Sequence, residues 1–380
     1  MVSSQSQLIK QTSTKLTSVN TTSKQAIVGF DGFVDEIIDV VDKRITAGPS
    51  GYTKVETISA FGNRIANAAG FSTNIELVPR TVKLGGNGPI MANALQALGL
   101  GITYIGALGQ PALHPVFAEL ASKARIISIA QPAHTDALEF ADGKIMLGKM
   151  NTLMDVTWEN LLAAIPLANL QQLCAQCSLL AATNWTMLPY ATQLCQRILE
   201  HMLPNQGADS LIAFFDLADP EKRSPADLLE ALHTIKAYNG RCGAVLGCNR
   251  KEAAQIAQVL QLDMGNNSHQ VPLEQITKTL ADTLDIYGVV VHATKEAACV
   301  IDNEFALVNG PYTPQPKLTT GAGDNFNAGF CLGLICGLSP AETLIAGVAN
   351  SGFYVRNARS ATHNELLEFM ELWQQRETEV

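Results

Sequence analysis

Short, almost entirely apolar runs alternate with longer amphipathic segments along most of this chain. The run at residues 211–215, LIAFF, has no polar residue on either face. Strands that are buried on both faces have this composition, and it is typical of a parallel sheet covered by helices. The alternation of strand and helix therefore predicts a doubly wound, mostly parallel α/β fold with helices on both faces.

The same patterns place the individual elements. Strands are predicted at 26–30, 102–108, 125–130, 178–183, 210–216, 243–247, 286–292, 297–301 and 305–308. Helices are predicted at 87–99, 114–123, 157–165, 189–202, 225–235, 250–260, 272–282, 322–336, 339–357 and 364–375.

Two segments do not follow the alternation. Residues 36–84 lack a clean helical period, and residues 131–150 are typical of a hairpin with Asp142-Gly143 as its turn. We expect these segments to form a small β-sheet lid that projects over the site, with 48–76 as an insertion. Residues 1–25 are predicted to be a polar N-terminal extension, with a short helix near 8–16, before a single domain at 26–380.

Composition narrows the class of function. The chain has 380 residues, and its formal net charge of −9 disfavours nucleic acid or an anionic membrane as a partner. No apolar run reaches membrane-spanning length. Most of the eight cysteines stand in apolar runs, which predicts buried thiols in a reducing, cytoplasmic compartment. The expected partner is a small molecule.

The string TTGAGDNFNAGF at residues 319–330 joins a glycine-bearing turn directly to an apolar helix. Glycines let the unpaired amides of a helix N-terminus approach an anion, so a phosphate is the expected guest. Phosphate binding gives no reason for a carboxylate in the same turn, whereas a base that deprotonates an attacking hydroxyl does. Asp324 is also a good helix cap, and the string alone leaves both interpretations open.

Other polar groups follow predicted strands. Asp31 and Asp35 come just after the first strand, where paired carboxylates can bind adjacent sugar hydroxyls or serve as turn and cap residues. The run Gly85-Gly86-Asn87 opens a helix, either as a ligand-admitting turn or as a flexible one. Asn249 and Glu252 fit a capping box and also fit a pair that holds water around Mg²⁺ beside phosphates.

Taken in this order, these motifs resemble the ribokinase (phosphofructokinase-B) family of carbohydrate kinases, from about residue 26 to 375. The resemblance implies a doubly wound domain with a lid and transfer of the γ-phosphate of ATP, with Mg²⁺, to a hydroxyl of a sugar or nucleoside. It makes Asp324 the base. The residue roles that it implies are an anion hole from Gly321, Ala322 and Gly323; substrate binding by Asp31, Asp35, Gly85, Gly86 and Asn87; nucleotide binding by Asn249, Thr294, Lys295, Thr320 and Asn350; and Mg²⁺ held through water by Asn249 and Glu252.

The chain departs from the family pattern at three places, one of which is the pair Ile90 and Met91, where many sugar kinases have polar residues. Thr294 and Ala297 stand where many members have the glycines of a turn under the nucleotide, and Leu318 stands where potassium-activated relatives have Asp. A sugar kinase is the favoured function. The alternatives are a nucleoside kinase, for which Tyr52 and Phe61 are the nearby lid aromatics, and a sugar- or nucleotide-sensing paralogue with weak turnover. Relatives dimerise through the lid, which makes a homodimer an open expectation.

Overall fold

The computed structural model describes residues 5–203, 211–264 and 271–378. Its strands are β1 (Gln25–Phe30), β2 (Phe33–Arg44), β3 (Tyr52–Lys54), β4 (Leu77–Gly85), β5 (Gly101–Gly106), β6 (Arg125–Ser128), β7 (Ala133–Phe140), β8 (Gly143–Lys149), β9 (Leu179–Ala182), β10 (Ile212–Asp216), β11 (Gly243–Asn249), β12 (Gly288–His292), β13 (Glu296–Ile301) and β14 (Glu304–Asn309). Its helices are α1 (Gln5–Ser18), α2 (Ile58–Ala66), α3 (Asn87–Ala97), α4 (Ala118–Ala121), α5 (Trp158–Ala164), α6 (Leu167–Gln176), α7 (Ala191–Met202), α8 (Pro225–Tyr238), α9 (Arg250–Val259), α10 (Leu273–Leu284), α11 (Ala322–Ile335), α12 (Pro340–Asn357) and α13 (His363–Thr378).

A large sheet runs in the order β14-β13-β12-β11-β10-β9-β1-β5-β6. Every pair from β12 to β6 is parallel, and only the edge pairs β12–β13 and β13–β14 are antiparallel. Successive residues of a strand point to opposite faces, so Ala213 and Phe215 join one buried cluster while Phe214 joins the other. Helices cover both faces, and the prediction of a doubly wound, mostly parallel sheet is confirmed.

A second, five-stranded sheet forms the predicted lid around the long strand β2. Strand β2 pairs with β3, β4 and β7, and β7 pairs with β8. The lid has a small core of its own, which consists of Ile38, Val40, Val55, Phe61, Leu138 and Phe140. The predicted hairpin is present as β7 and β8, but Phe140 pairs with Gly143, so the turn is formed by residues 141 and 142.

Three parts of the structure differ from the sequence-based expectation: the start of the lid, one additional helix and the packing of the N-terminal segment. The lid strand β2 begins at Phe33, so Asp35 belongs to the lid and not to the loop after β1. Helix α6 was not predicted, because Pro166 marks the end of one helix and also precedes the start of the next. The polar N-terminal segment contains α1, which packs against α12 and α13 with Ile9 and Leu16 fully buried.

Composition predicted buried thiols and no apolar run of membrane-spanning length. All eight cysteines are free thiols, and all but Cys336 are buried. Within the described residues, no helix combines the length and the apolar character that crossing a membrane requires.

The parallel strands bring their carboxyl ends to one edge of the large sheet. Strands β1, β10, β11 and β12 end at Phe30, Asp216, Asn249 and His292. Polar side chains at or just after these ends therefore lie close together, with the lid beside them.

Candidate active site

The first turn of α11 separates two cavities. Thr320 and Gly321 line a cleft of about 580 Å³ under the lid, whereas Ala322 and Gly323 line a cavity of about 510 Å³ on the other side. Gly321 has φ 90°, and a Cβ there would lie 2.7 Å from the Tyr354 hydroxyl, so only glycine fits. The turn is therefore open to a ligand from both sides.

The amides of this turn are not equivalent. The Ala322 N–H donates to the Thr319 carbonyl at 3.1 Å. Among the recorded contacts of the described residues, the amides of Gly321 and Gly323 have no acceptor. Since these amides lie at the positive end of the α11 dipole, they are suited to bind an anion.

Asp324 is the third residue of α11, and its carboxylate is buried beside the cleft. The Asn87 Nδ2 at the start of α3 donates to Asp324 Oδ1 at 2.9 Å. Burial raises the pKa of Asp324 well above its usual range, and the negative charge of Asp216 raises it further. A carboxylate with a raised pKa is a stronger base, which suits the removal of a hydroxyl proton.

Asp35 and Asp31 have different environments. Asp35 lines the cleft from the lid strand β2, and burial raises its pKa. Gly85 on β4 pairs with Phe33, two residues before Asp35, and a Cβ there would come within 2.4 Å of the Asp35 carboxylate, so Gly85 makes room for that side chain. Gly86 lines the cleft directly.

Asp31 has no exposed surface and does not line the cleft. Its carboxylate accepts hydrogen bonds from the Asn87 amide at 3.0 Å, the Gly88 amide at 2.9 Å and Asn184 Nδ2 at 2.6 Å. Burial raises its pKa to about 6. Asp31 thus caps α3 and positions Asn87, and a direct contact between Asp31 and a ligand does not fit this geometry.

Asn249 and Glu252 form the capping box of α9. The Asn249 side chain accepts from the Glu252 amide at 3.0 Å, and Glu252 Oε2 accepts from the Asn249 amide at 2.8 Å. Glu252 Oε1 accepts from the Asp219 amide at 2.9 Å, and Asn249 lines both cavities. The pair is rigid, and it faces the place where the two cavities meet.

The second cavity lies on the other side of the α11 turn from the cleft. Thr294 lines it, together with Tyr312 and Pro316 from the loop after β14 and Ser351 from α12. Lys295 lies over the Tyr312 ring at 4.7 Å. Thr320, which was expected at the nucleotide, instead lines the cleft under the lid.

Asn350 does not line this cavity. It is fully buried, and its Nδ2 donates to the Asn325 carbonyl at 2.7 Å, which ties α12 to the first turn of α11. The neighbouring α12 residues Val348, Ser351 and Gly352 form the wall instead. The sequence places the correct helix at the cavity but not the correct face of it.

His292 is a cavity residue that the motif search did not select. It ends β12 opposite Asn249, and its ring lies 4.8 Å from that of Phe326. Burial lowers its pKa to about 4, so the imidazole is neutral near pH 7. Its position at the end of a buried strand, two residues before Thr294, was the available signal.

A family model described as prokaryotic ketohexokinase matches residues 7–373 of the chain. The chain is 29% identical to a ketohexokinase from Haloferax volcanii, over 91% of this chain and 90% of the relative.

Solved structures of low identity share the fold. A carbohydrate kinase from Agrobacterium tumefaciens has a TM-score of 0.62 and 18% identity, over 93% of this chain and 97% of the other. A ribokinase from Cryptococcus neoformans in complex with ADP has a TM-score of 0.60 and 16% identity, over 92% and 99%. An adenosine kinase from Sinorhizobium meliloti has a TM-score of 0.61 and 17% identity, over 93% and 99%.

The family model spans nearly the whole chain, and the fold with its two cavities agrees with it. The chain therefore belongs to the prokaryotic ketohexokinase family, within the ribokinase-like carbohydrate kinases, and it is an ATP-dependent carbohydrate kinase.

Proposed function

We propose that this kinase phosphorylates a hydroxyl group of a ketohexose, which binds in the cleft between the lid and α11. The ketohexokinase from Haloferax volcanii and the matching family model support this choice of sugar. The cleft is lined by hydroxyl-binding groups from both sides, including Asp35 and Thr135 of the lid and Asn87 and Asn184 of the main domain.

The single observation that carries the mechanism is the buried Asp324 carboxylate in the turn that separates the two cavities. In our proposal, Asp324 takes the proton of the attacking hydroxyl. The sugar lies on one side of the turn and ATP on the other, so transfer requires only that the γ-phosphate reach the turn itself.

The amides of the same turn would stabilise the transferring group. Gly321 and Gly323 present N–H groups without a recorded acceptor, whereas the Ala322 amide is engaged with Thr319 and would contribute less. Fixed amides at a helix N-terminus stabilise developing negative charge without reorganising.

We further propose that Asp35, Gly86 and Asn87 bind the sugar, with Gly85 and Asp31 shaping the pocket from behind. Thr294 and Lys295 would bind the nucleotide in the second cavity, and Thr320 would lie at the phosphates. Asn350 would hold α12, which forms one wall of that cavity, against α11. Asn249, between the cavities, would lie near the phosphates.

Mg²⁺ fits beside Asn249 and Glu252, because each of their side-chain oxygens accepts one backbone amide and keeps a second lone pair for a metal-bound water. In the described residues no group of three or more His, Cys, Asp or Glu is placed to hold a metal directly, so we propose contact through water. When bound, the ion would neutralise charge on the phosphates.

The test is turnover of Asp324→Asn with fructose, tagatose, glucose, ribose and adenosine as acceptors. The isosteric change removes the base, and we expect kcat to fall by about 10²–10⁴-fold. Asp136→Asn removes a carboxylate from the outer lid face and serves as the control, with an unchanged kcat. Wild-type kcat in Asp324→Asn would remove the base assignment.

The acceptor panel separates the alternative functions. A preference for adenosine would indicate a nucleoside kinase, and binding without turnover would indicate a sensing protein. The structure offers the nucleoside alternative little support, because Phe61 is buried in the lid core against Phe140 and Tyr52 donates to Asp39. Neither aromatic residue lines the cleft.

We also propose a homodimer through the outer face of the lid. Val82 and Leu147 lie opposite Glu36 and Asp136, one residue out of phase with Asp35, and therefore on the outer face. Both are about half exposed, at 50% and 48%. Exposed apolar side chains on one sheet face favour a partner there, and sedimentation velocity of the wild type and of Leu147→Lys tests this.

A further inference from the structure

A lysine of the lid reaches the turn that carries Asp324. Lys144 Nζ, on the hairpin strand β8, donates to Thr320 Oγ1 at 2.9 Å. Thr320 directly precedes Gly321, the N-cap residue of α11. The contact joins the tip of the lid to the main domain beside the amides that we propose as the anion hole.

The position of Lys144 on its strand is consistent with a role inside the cleft. Met146, Gly148 and Met150 line the cleft at two-residue intervals along β8 and just beyond it. Successive side chains of a strand alternate between faces, so Lys144 belongs to the same inner face. Lys149 has the opposite phase and pairs with Asp136 at 2.8 Å.

The charge of Lys144 is not taken up by a carboxylate. Among the ion pairs recorded for the described residues, none includes Lys144, although its charge lowers the pKa of Asp35 after the larger effect of Lys83. The turn itself is surrounded by acids, since the charges of Asp216, Asp31 and Glu252 all raise the pKa of Asp324. A phosphate entering this site needs a cation, and the lid supplies one.

We propose that Lys144 contacts the phosphoryl group during transfer, with its ammonium exchanging Thr320 Oγ1 for a non-bridging phosphoryl oxygen. This inference rests on the function proposed above. In the step, a bond forms between the sugar oxygen and the γ-phosphorus, and the bond from that phosphorus to the β–γ bridging oxygen breaks. The hydroxyl proton goes to Asp324, ADP leaves, and Lys144 keeps its proton.

Lys144 then links lid closure to charge stabilisation. With the lid open, the ammonium is withdrawn and the site lacks that cation, so attack by water on ATP is less favourable. With the lid closed over a sugar, the cation is in place and water is excluded. The lysine should therefore affect kcat more than the KM of either substrate.

The experiment compares Lys144→Met, Lys144→Gln and Lys144→Arg with the control Lys149→Met. The control removes the same charge from the same strand but on the outer face. Removal of a charged donor to the transition state costs about 10²-fold in kcat, which we expect for Lys144→Met and Lys144→Gln. We expect Lys144→Arg to keep most activity and Lys149→Met to keep all of it, with unchanged Tm in each variant.

A binding measurement provides a second readout. Affinity for ADP with aluminium fluoride and fructose, a mimic of the transferring group, should fall in Lys144→Met by a factor similar to that in kcat. Affinity for ADP with fructose alone should not fall. Equal losses for both would mean that Lys144 only holds the lid shut.

The outcomes separate this inference from the function beneath it. Lys144→Gln keeps a hydrogen-bond donor but carries no charge, so wild-type kcat in that variant would overturn the phosphoryl contact. If Asp324→Asn is inactive while Lys144→Met is normal, only the role of Lys144 fails. If Asp324→Asn is active, the placement of the phosphoryl group fails as well.

Discussion

Asp31 and Asp35 are four residues apart, yet one is enclosed by the protein and the other faces the cleft. Asp31 accepts hydrogen bonds from the first backbone amides of α3, whereas Asp35 lines the cleft from the inner face of the lid. The sequence indicates that both follow a buried strand but does not show that β2 begins between them, at Phe33. The hydrogen bonds of Asp31 to α3 and Asn184, and the start of β2, leave Asp35 as the carboxylate that faces the cleft.

Asp35→Ala should raise the KM for the sugar much more than the KM for ATP. A hydrogen bond to a charged group contributes about 1.5–3 kcal/mol, which corresponds to roughly 10- to 100-fold in the sugar KM. Initial rates with each substrate varied in turn give the two values, and Asp136→Ala is the matched lid control. Equal increases in both KM values would remove Asp35 from the sugar site.

Other site residues show which parts of the candidate site the sequence motifs predict. The 319–324 string, Asn87 and the pair Asn249 and Glu252 meet around one turn, as their positions after strands suggested. The inward orientation of Asn350 was not readable, because it depends on which face of α12 packs against α11. His292 was not selected, although it lies at the end of the buried strand β12. A motif identifies a segment of the chain. Which of its side chains face the site depends on how the segment packs against residues far away in sequence.

At the scale of elements, the lid was the least predictable part. Strand β4 is mostly exposed, and α2 buries only Phe61, so neither shows a strong period. Strand β4 is held in place by its pairing with β2, which is far away in sequence, and local patterns do not reveal such a pairing. The strands of the large sheet are buried on both faces, and their positions were predicted closely.

The lid segments 36–84 and 131–150 should exchange their amide hydrogens faster than the central strands in the free protein. The lid core contains six buried apolar side chains, far fewer than either cluster of the large sheet, so we expect its local stability to be low. Hydrogen exchange followed by mass spectrometry should show slowing in both segments when fructose binds, and a smaller change with nucleotide alone. Exchange as slow as that of β1 or β10 in the free protein would mean that the lid is a fixed part of the core.

At the scale of the whole molecule, composition and alternation were sufficient for the architecture. The mostly parallel sheet and the helices on both faces follow from the predicted elements, whereas the strand order and the antiparallel edge at β13 and β14 come from the structure alone. The polar character of residues 1–25 was misleading, because a helix needs only a few apolar residues on one face to pack. In α1 the buried positions Ile9, Thr12, Ser13 and Leu16 form such a face.

Asp31→Asn should change how stability depends on pH. Because burial raises the pKa of Asp31 from 3.8 to about 6, the native state binds this proton more tightly than the unfolded chain does. The contribution of Asp31 to the stability of the wild type therefore falls as pH rises from about 4 to about 6, and asparagine does not titrate.

The unfolding free energy of Asp31→Asn minus that of the wild type should rise across this window by up to about 3 kcal/mol. Urea unfolding at several pH values measures it, and the slope with pH is independent of any fixed cost of the substitution. A difference that stays constant with pH would mean that Asp31 has the same pKa in the native and unfolded states.

The packing of α1 has a consequence for the order in which the protein is made. Ile9 and Leu16 lie against α12 and α13, and Lys15 Nζ is 2.7 Å from Glu342 at the start of α12. During translation α1 leaves the ribosome long before these helices exist, so its apolar face stays uncovered until nearly the whole chain has emerged. Early domain halves cannot complete this layer by themselves. The burial of Ile9 and Leu16 can therefore be completed only after α13 has emerged.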